Sequence, residues 1–146
     1  MLQRDDNYLD AWFATKKFDN GFYGYFNIGT CIDMPEHWYS VCLSVSNKKR
    51  KALGYVYGTK FSQTLKTNIG SGIAPLLWAK DCLLEFEEMK KEENYLKRDL
   101  YIGIFSDDAR RHKVYKWGLS KIGFVEGIHF GKRCLVKRIP YIDKNE

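Results

Sequence analysis

The stretch Thr67–Ala74 (Thr-Asn-Ile-Gly-Ser-Gly-Ile-Ala) places two glycines between a strand-like run and a long helix-like run. Glycine lets a backbone approach a ligand closely, and the free N–H groups and dipole of a first helical turn favour negative charge. The segment therefore predicts a backbone cradle for a phosphate, although a plain loop-to-helix joint fits the same pattern. The candidate binding residues are Thr67, Ile69, Gly70, Ser71, Gly72, Ile73 and Ala74.

Positive charge is concentrated around this turn. The chain has a net charge of +6, and no acidic residue occurs between His37 and Lys80. The basic residues of that window are Lys48, Lys49, Arg50, Lys51, Lys60, Lys66 and Lys80. A basic window without carboxylates suits a polyphosphate, whereas Asn47–Arg50 alone is also compatible with a solvated hairpin tip.

Composition limits the class of protein. A length of 146 residues, with 45% hydrophobic and 16% aromatic residues, predicts one globular domain. The four cysteines and three histidines lack ligand spacing, so no metal site is predicted. No apolar run approaches the roughly 18 residues of a membrane span, and Met1 is not followed by an apolar leader. These features predict a cytoplasmic protein without a membrane partner.

The first third of the chain is predicted to contain a short strand at Met1–Arg4 and then mainly helix. Asp6 or Asn7 would cap a helix that Asn20-Gly21 ends. One side of that helix would carry Leu9, Trp12, Phe13 and Lys16. The aromatic segment Phe22–Cys31 is compatible with a second short helix or an irregular stretch.

The middle of the chain predicts strands followed by a long helix. His37–Ser46 alternates as a strand does, and Ala52–Lys60 is rich in β-formers. Either a further strand at about Phe61–Asn68 or a continuation of the second strand after a bend leads into the glycine turn. A helix over Ile73–Asn94 follows from apolar residues at three- and four-residue spacing. Its charged last part, from Glu85 to Glu93, is expected to be solvated.

The last third predicts a strand, a helix and a hairpin. The elements are an apolar strand Asp99–Ser106 inside the sheet, a helix Ala109–Lys121 capped by Asp107 or Asp108 and ended by Gly123, and a hairpin of Val125–Phe130 and Lys132–Ile139. The whole order predicts an α/β (α+β) fold with a mixed, mostly antiparallel sheet flanked by helices.

Three segments resemble the GNAT family of acyl-CoA-dependent N-acetyltransferases. Thr67-x-x-Gly70-x-Gly72 is similar to that family's Q/R-x-x-G-x-G/A turn, with Thr in the first position. Leu119-Ser-Lys-Ile-Gly123-Phe124 is similar to the family's Tyr-x-x-x-Gly-Phe segment, with Leu in place of Tyr. Lys132–Ile139 resembles its final strand. The resemblance implies a single GNAT-like domain over 1–146, with substrate-side helices in 1–36 and a core in 37–139.

The resemblance also implies a chemistry. An amine acceptor would attack the thioester of acetyl-CoA, the glycine turn would hold the coenzyme A pyrophosphate, and backbone N–H groups near a splayed central strand would stabilise the oxyanion. A tyrosine would protonate the departing thiolate. Because Leu119 stands at that position, Tyr115, one turn earlier on the same helix face, is the candidate catalytic acid.

A general base is not singled out by the sequence. The carboxylate and imidazole candidates are Asp33, Glu36, His37, Asp107, Asp108 and His112. Asp107 and Asp108 also fit a helix cap, and His112 within Arg-Arg-His also fits a solvated surface.

Two other interpretations remain beside the N-acetyltransferase. Short chains of this kind also resemble phage-encoded acetyltransferase-like proteins, which implies a catalytically inactive binding, structural or virion component, in the host cytoplasm or the virion, and a homo-oligomer or virion assembly. Alternatively, the basic second half would bind nucleic acid weakly and non-specifically. The residues favouring that are Arg110, Arg111, Lys113, Lys116, Lys132, Arg133, Lys137 and Arg138, with Tyr115 and Trp117 interleaved but expected in the core.

Overall fold

The computed structural model describes residues 1–8, 10–19, 21–46, 73–106 and 108–144. The predicted strands Ala52–Lys60 and Phe61–Asn68 lie outside the described residues, as do turn residues 67–72 and Asp107. Predictions about those positions therefore stay predictions.

The described residues form an α+β fold around one seven-stranded sheet of order β1-β2-β3-β4-β5-β7-β6. The strands are β1 Gln3–Arg4, β2 Ala11–Lys17, β3 Tyr23–Gly29, β4 Trp38–Ser46, β5 Leu100–Phe105, β6 Val125–His129 and β7 Lys132–Ile139. Every neighbouring pair is antiparallel except β4 with β5, which is parallel. The predicted mixed, mostly antiparallel sheet is confirmed.

The predicted N-terminal helix is wrong, because Ala11–Lys17 is strand β2 and pairs along its whole length with β3. Ala14 lies in the core, whereas Phe13 stacks on Tyr25 of β3 with ring centroids 5.7 Å apart. These cross-strand partners favour the strand although the local spacing also fits a helix. The described part of residues 1–36 thus contributes β1, β2 and β3 to the sheet instead of substrate-side helices.

The two described α-helices agree closely with the sequence predictions. Helix α1 spans Ala74–Glu92, and helix α2 spans Ala109–Leu119 and continues into a 3₁₀ helix, Ser120–Ile122. Asp108 caps α2 by accepting a 2.8 Å hydrogen bond from the Arg110 N–H, and Gly123 ends the 3₁₀ turn with φ +98°. Glycine is suited to that left-handed conformation because it has no Cβ.

The main core lies between the helices and one face of the sheet. It contains Leu76, Leu83 and Phe86 of α1 together with Tyr115 and Leu119 of α2. The two helices approach closely at Gly118, where a Cβ would lie 2.4 Å from Leu76 Cδ2. The absent side chain is therefore what lets α2 pack against α1 at this point.

Two ion pairs with little solvent exposure fix α1 to the sheet, so the prediction of a solvated charged end is wrong for Glu87 and Lys90. The Glu87 carboxylate lies 2.5 Å from Lys137 Nζ of β7. Lys90 Nζ donates to Asp10 at 3.1 Å, and the Tyr39 hydroxyl donates to the same carboxylate at 2.5 Å. Burial first, and then Asp10, raises the pKa of the Tyr39 phenol. Both carboxylates anchor the second half of α1.

Lys137→Met is expected to lower the free energy of unfolding by about 3 kcal/mol. The substitution leaves the buried Glu87 carboxylate paired only with Lys91, whose side chain is more exposed to solvent. Arg138→Met on the same strand is the matched control. Its side chain is exposed and lies 3.7 Å from Asp99, so less than about 1 kcal/mol should be lost. Urea titration of both variants measures the difference, and equal losses would contradict the role given to Glu87.

Candidate active site

The parallel pairing between β4 and β5 is short. It covers only Trp38 with Tyr101, Tyr39 with Ile102 and Ser40 with Gly103. Beyond these pairs β4 continues to Ser46 and β5 to Phe105 without pairing to each other. We call this unpaired part the strand gap. Among the described residues, backbone groups of one strand that face the other have no ladder partner there, which makes them candidates for binding a ligand.

The first turn of α1 lies at the strand-gap end of the sheet. Trp78 packs edge-on against Phe18 at 5.8 Å and closely over Gly24, which pairs with Val45 near the end of β4. Lys90, about three turns later, reaches Tyr39 near the start of β4. Helix α1 therefore runs antiparallel to β4 and directs its N-terminus towards the strand gap.

The start of α1 has neither a capping side chain nor an acidic residue among the described residues of its first turn. Ile73 is the N-cap residue and has no side-chain acceptor, and the first turn contains no acidic residue. Pro75 follows without an N–H of its own, as is common in a first turn. Of the predicted cofactor-binding residues, only Ile73 and Ala74 are described, and both are exposed. This end favours an anion electrostatically, while the glycine turn itself lies outside the described residues.

The candidate acid Tyr115 lies on the inner face of α2. Tyr115 and Leu119 are both buried and belong to the same core cluster, as their four-residue spacing predicts. Leu119 has no proton to donate, so its hydrocarbon side chain serves packing only. The catalytic role of Tyr115 stays a prediction.

The candidate bases are separated by the fold. Asp33, Glu36 and His37 precede β4. They therefore lie near the start of β4, at the end of the sheet opposite the strand gap. Burial, followed by the charge of Arg98, lowers the pKa of His37. Asp108 is occupied as the cap of α2. His112 lies on α2, the helix that follows β5. Among the described candidate bases, it is the one that lies at the strand-gap end and does not cap a helix.

His112 is buried and bound to a carboxylate on β6. Its Nε2 lies 3.2 Å from Glu126 Oε1, and Lys116 Nζ donates to Glu126 Oε2 at 2.7 Å. Its Nδ1 is buried and has no hydrogen-bond partner among the described residues. If Nε2 donates to Glu126, the Nδ1 lone pair can accept a proton or a hydrogen bond. The alternative of a solvated surface histidine is wrong, and the spacing of 112 with 115 and 119 was the signal for burial.

No family model, curated protein or solved structure matches the chain. Within residues 1–46 and 73–144, as far as they are described, no group of three or more His, Cys, Asp or Glu side chains could hold a metal ion. A search of the same ranges found no helix long and apolar enough to cross a membrane.

The Glu126 carboxyl is expected to titrate below the ordinary range of glutamate, because hydrogen bonds from Lys116 first and His112 second lower its pKa. Since the folded pKa lies below the unfolded value, the contact stabilises above that range and is lost as pH falls through it. Lys116→Met should raise the pKa of Glu126 towards its ordinary value. Lys113→Met, on the far side of α2, is the control and should leave that pKa unchanged. Carboxyl NMR titration measures this, and no response to Lys116→Met would contradict the assignment.

Proposed function

We propose that the chain is an N-acyltransferase that moves an acetyl group from acetyl-CoA to an amine. The observation that carries the proposal is the pairing of β4 with β5, the one parallel pairing among the described strands, which stops after three residue pairs near the N-terminus of α1. The resemblance of the sequence to GNAT enzymes implies a splayed central strand and a pyrophosphate-binding turn at the same location. The turn Thr67–Ala74 would then hold the pyrophosphate with backbone N–H groups.

Transition-state charge would be stabilised in the strand gap. When the amine nitrogen attacks the thioester carbonyl, negative charge forms on the carbonyl oxygen. Backbone N–H groups of β4 that face β5 beyond Ser40 have no β5 partner and can donate to that oxygen. Fixed donors of this kind need no reorganisation during the reaction. Catalysis would therefore rely on backbone geometry more than on side chains.

Proton transfer would use two side chains of α2. His112 Nδ1 accepts the proton of the attacking amine, with Glu126 holding Nε2. When the C–S bond breaks, the sulfur takes a proton from the Tyr115 hydroxyl or leaves as a thiolate, which its pKa of about 8.5 permits. A shared helix would keep base and acid one turn apart.

A second candidate is a non-catalytic protein that binds the same cofactor or serves a structural role. The burial of Leu119 at the position that the resemblance assigns to tyrosine favours it. A non-catalytic protein that binds the same cofactor would share the proposed anion-binding end of α1 with the enzyme and would differ from it in turnover.

Acetyl-CoA is expected to bind at the turn before α1 and to raise the melting temperature. At 100 times its Kd it should add about 2.7 kcal/mol to the free energy of unfolding. Gly72→Val should abolish binding because a Cβ would block close approach of the backbone. Thr15→Val, an exposed position on β2, is the control. Absence of calorimetric binding to folded wild-type protein at millimolar acetyl-CoA would reject the proposal.

Tyr115→Phe should lower turnover at least about tenfold with unchanged acetyl-CoA affinity, because only the transition state loses an interaction. His112→Gln should lower turnover by about 10² or more, because the proposed general base is lost. Ser120→Ala, exposed after α2, is the control. Binding without turnover in the wild type would favour the non-catalytic candidate, and equal rates in wild type and variants would remove both assigned roles.

A further inference from the structure

We propose that the outer face of α2 binds single-stranded nucleic acid, with phosphates on three cations and a base stacked on Trp117. The face is defined by Arg110, Lys113 and Trp117 of α2 together with Lys121 of the 3₁₀ helix that continues it, and we call these four residues the basic stripe. These residues recur at three- and four-residue spacing and are all exposed. The buried residues His112, Tyr115 and Leu119 occupy the opposite side of the helix. The stripe is thus separate from the proposed catalytic face.

Within the part of the chain that the structure describes, the cations of the basic stripe differ from their neighbours in having no acidic partner. No acidic residue occurs between Asp108 and Glu126. Asp108 pairs with Arg111, and Glu126 pairs with Lys116 and His112. Among the described residues no carboxylate forms a salt bridge with Arg110, Lys113 or Lys121. The charge of these three side chains is therefore available to an external anion.

Trp117 is 56% exposed, which corrects the expectation that both interleaved aromatics lie in the core. Lys121 Nζ lies 5.1 Å from the Trp117 ring centroid, so indole and cation share one surface. A cation–π contact covers one face of a ring and leaves the other available for stacking. Base–aromatic stacking contributes about 1–3 kcal/mol per base, whatever the base.

The combination of residues selects among polyanions. A duplex offers phosphates but keeps its bases stacked inside, so an indole gains little from it. A membrane surface would require a broad apolar face, and the basic stripe has a single apolar side chain. An acidic peptide supplies charge without a flat ring. Single-stranded nucleic acid supplies both phosphates and exposed rings along the roughly 16 Å between positions 110 and 121.

The test is fluorescence anisotropy of a labelled oligothymidine of about 16 nucleotides, titrated with wild-type protein at several salt concentrations. Affinity should fall with salt at a logarithmic slope near 2, since each neutralised phosphate of a single strand contributes about 0.7. Lys113→Gln should reduce the slope by about 0.7. Trp117→Ala should weaken binding about tenfold at unchanged slope, because stacking carries no charge.

Two controls match these variants elsewhere in the chain. Tyr8→Ala removes an aromatic side chain that is also 56% exposed, and Lys17→Gln removes an exposed cation on β2. Neither should change affinity. Wild-type affinity in Trp117→Ala, or tighter binding of duplex than of single strand, would overturn the proposal. Equal competition by poly-glutamate or by phosphatidylserine vesicles would overturn it too and reassign the stripe to acidic proteins or to membranes.

Discussion

The parallel pairing of β4 with β5 is the constraint on which the rest of the structure depends. Two parallel neighbours cannot be joined by a tight turn, so the chain must cross over the sheet between them. Helix α1 is part of that crossover and returns antiparallel to β4. Because only three residue pairs join the strands, their pairing stops towards the end of the sheet where α1 begins. One pairing thereby determines both the strand gap and the helix end that faces it.

Charged contacts hold this arrangement in place. Glu87 binds Lys137 of β7, while Lys90 reaches Asp10 just before β2. These contacts tie α1 to strands on both sides of the β4–β5 pair. Removing one partner of such a pair costs more than the pair contributes as a whole, because a charge is left buried. The position of the α1 N-terminus thus depends on side chains at the other end of the helix.

Helix α2 serves two surfaces that its sequence pattern separates. Positions 112, 115 and 119 face the core, and positions 110, 113, 117 and 121 are exposed on the far side. Gly118 brings the helix close to Leu76, so the inner face approaches the start of α1. The outer face is free of these packing demands. The proposed proton transfer on the inner face and the proposed polyanion binding on the outer face can therefore coexist on one short helix.

The sequence by itself determined the elements with strong local signals: α1 from its apolar spacing, the Asp108 cap and the Gly123 stop of α2, the apolar strand β5 and the closing hairpin. It did not determine β2 and β3, whose strand state depends on pairing with each other, or the burial of Glu87, Lys90 and His112, whose partners are distant in sequence. Trp117 does not share the helix face of the buried positions 112, 115 and 119, so its exposure was predictable from the sequence in principle. Only the tertiary structure decided which strand lies parallel to β5, because pairing between distant segments reflects the whole sheet rather than any local pattern.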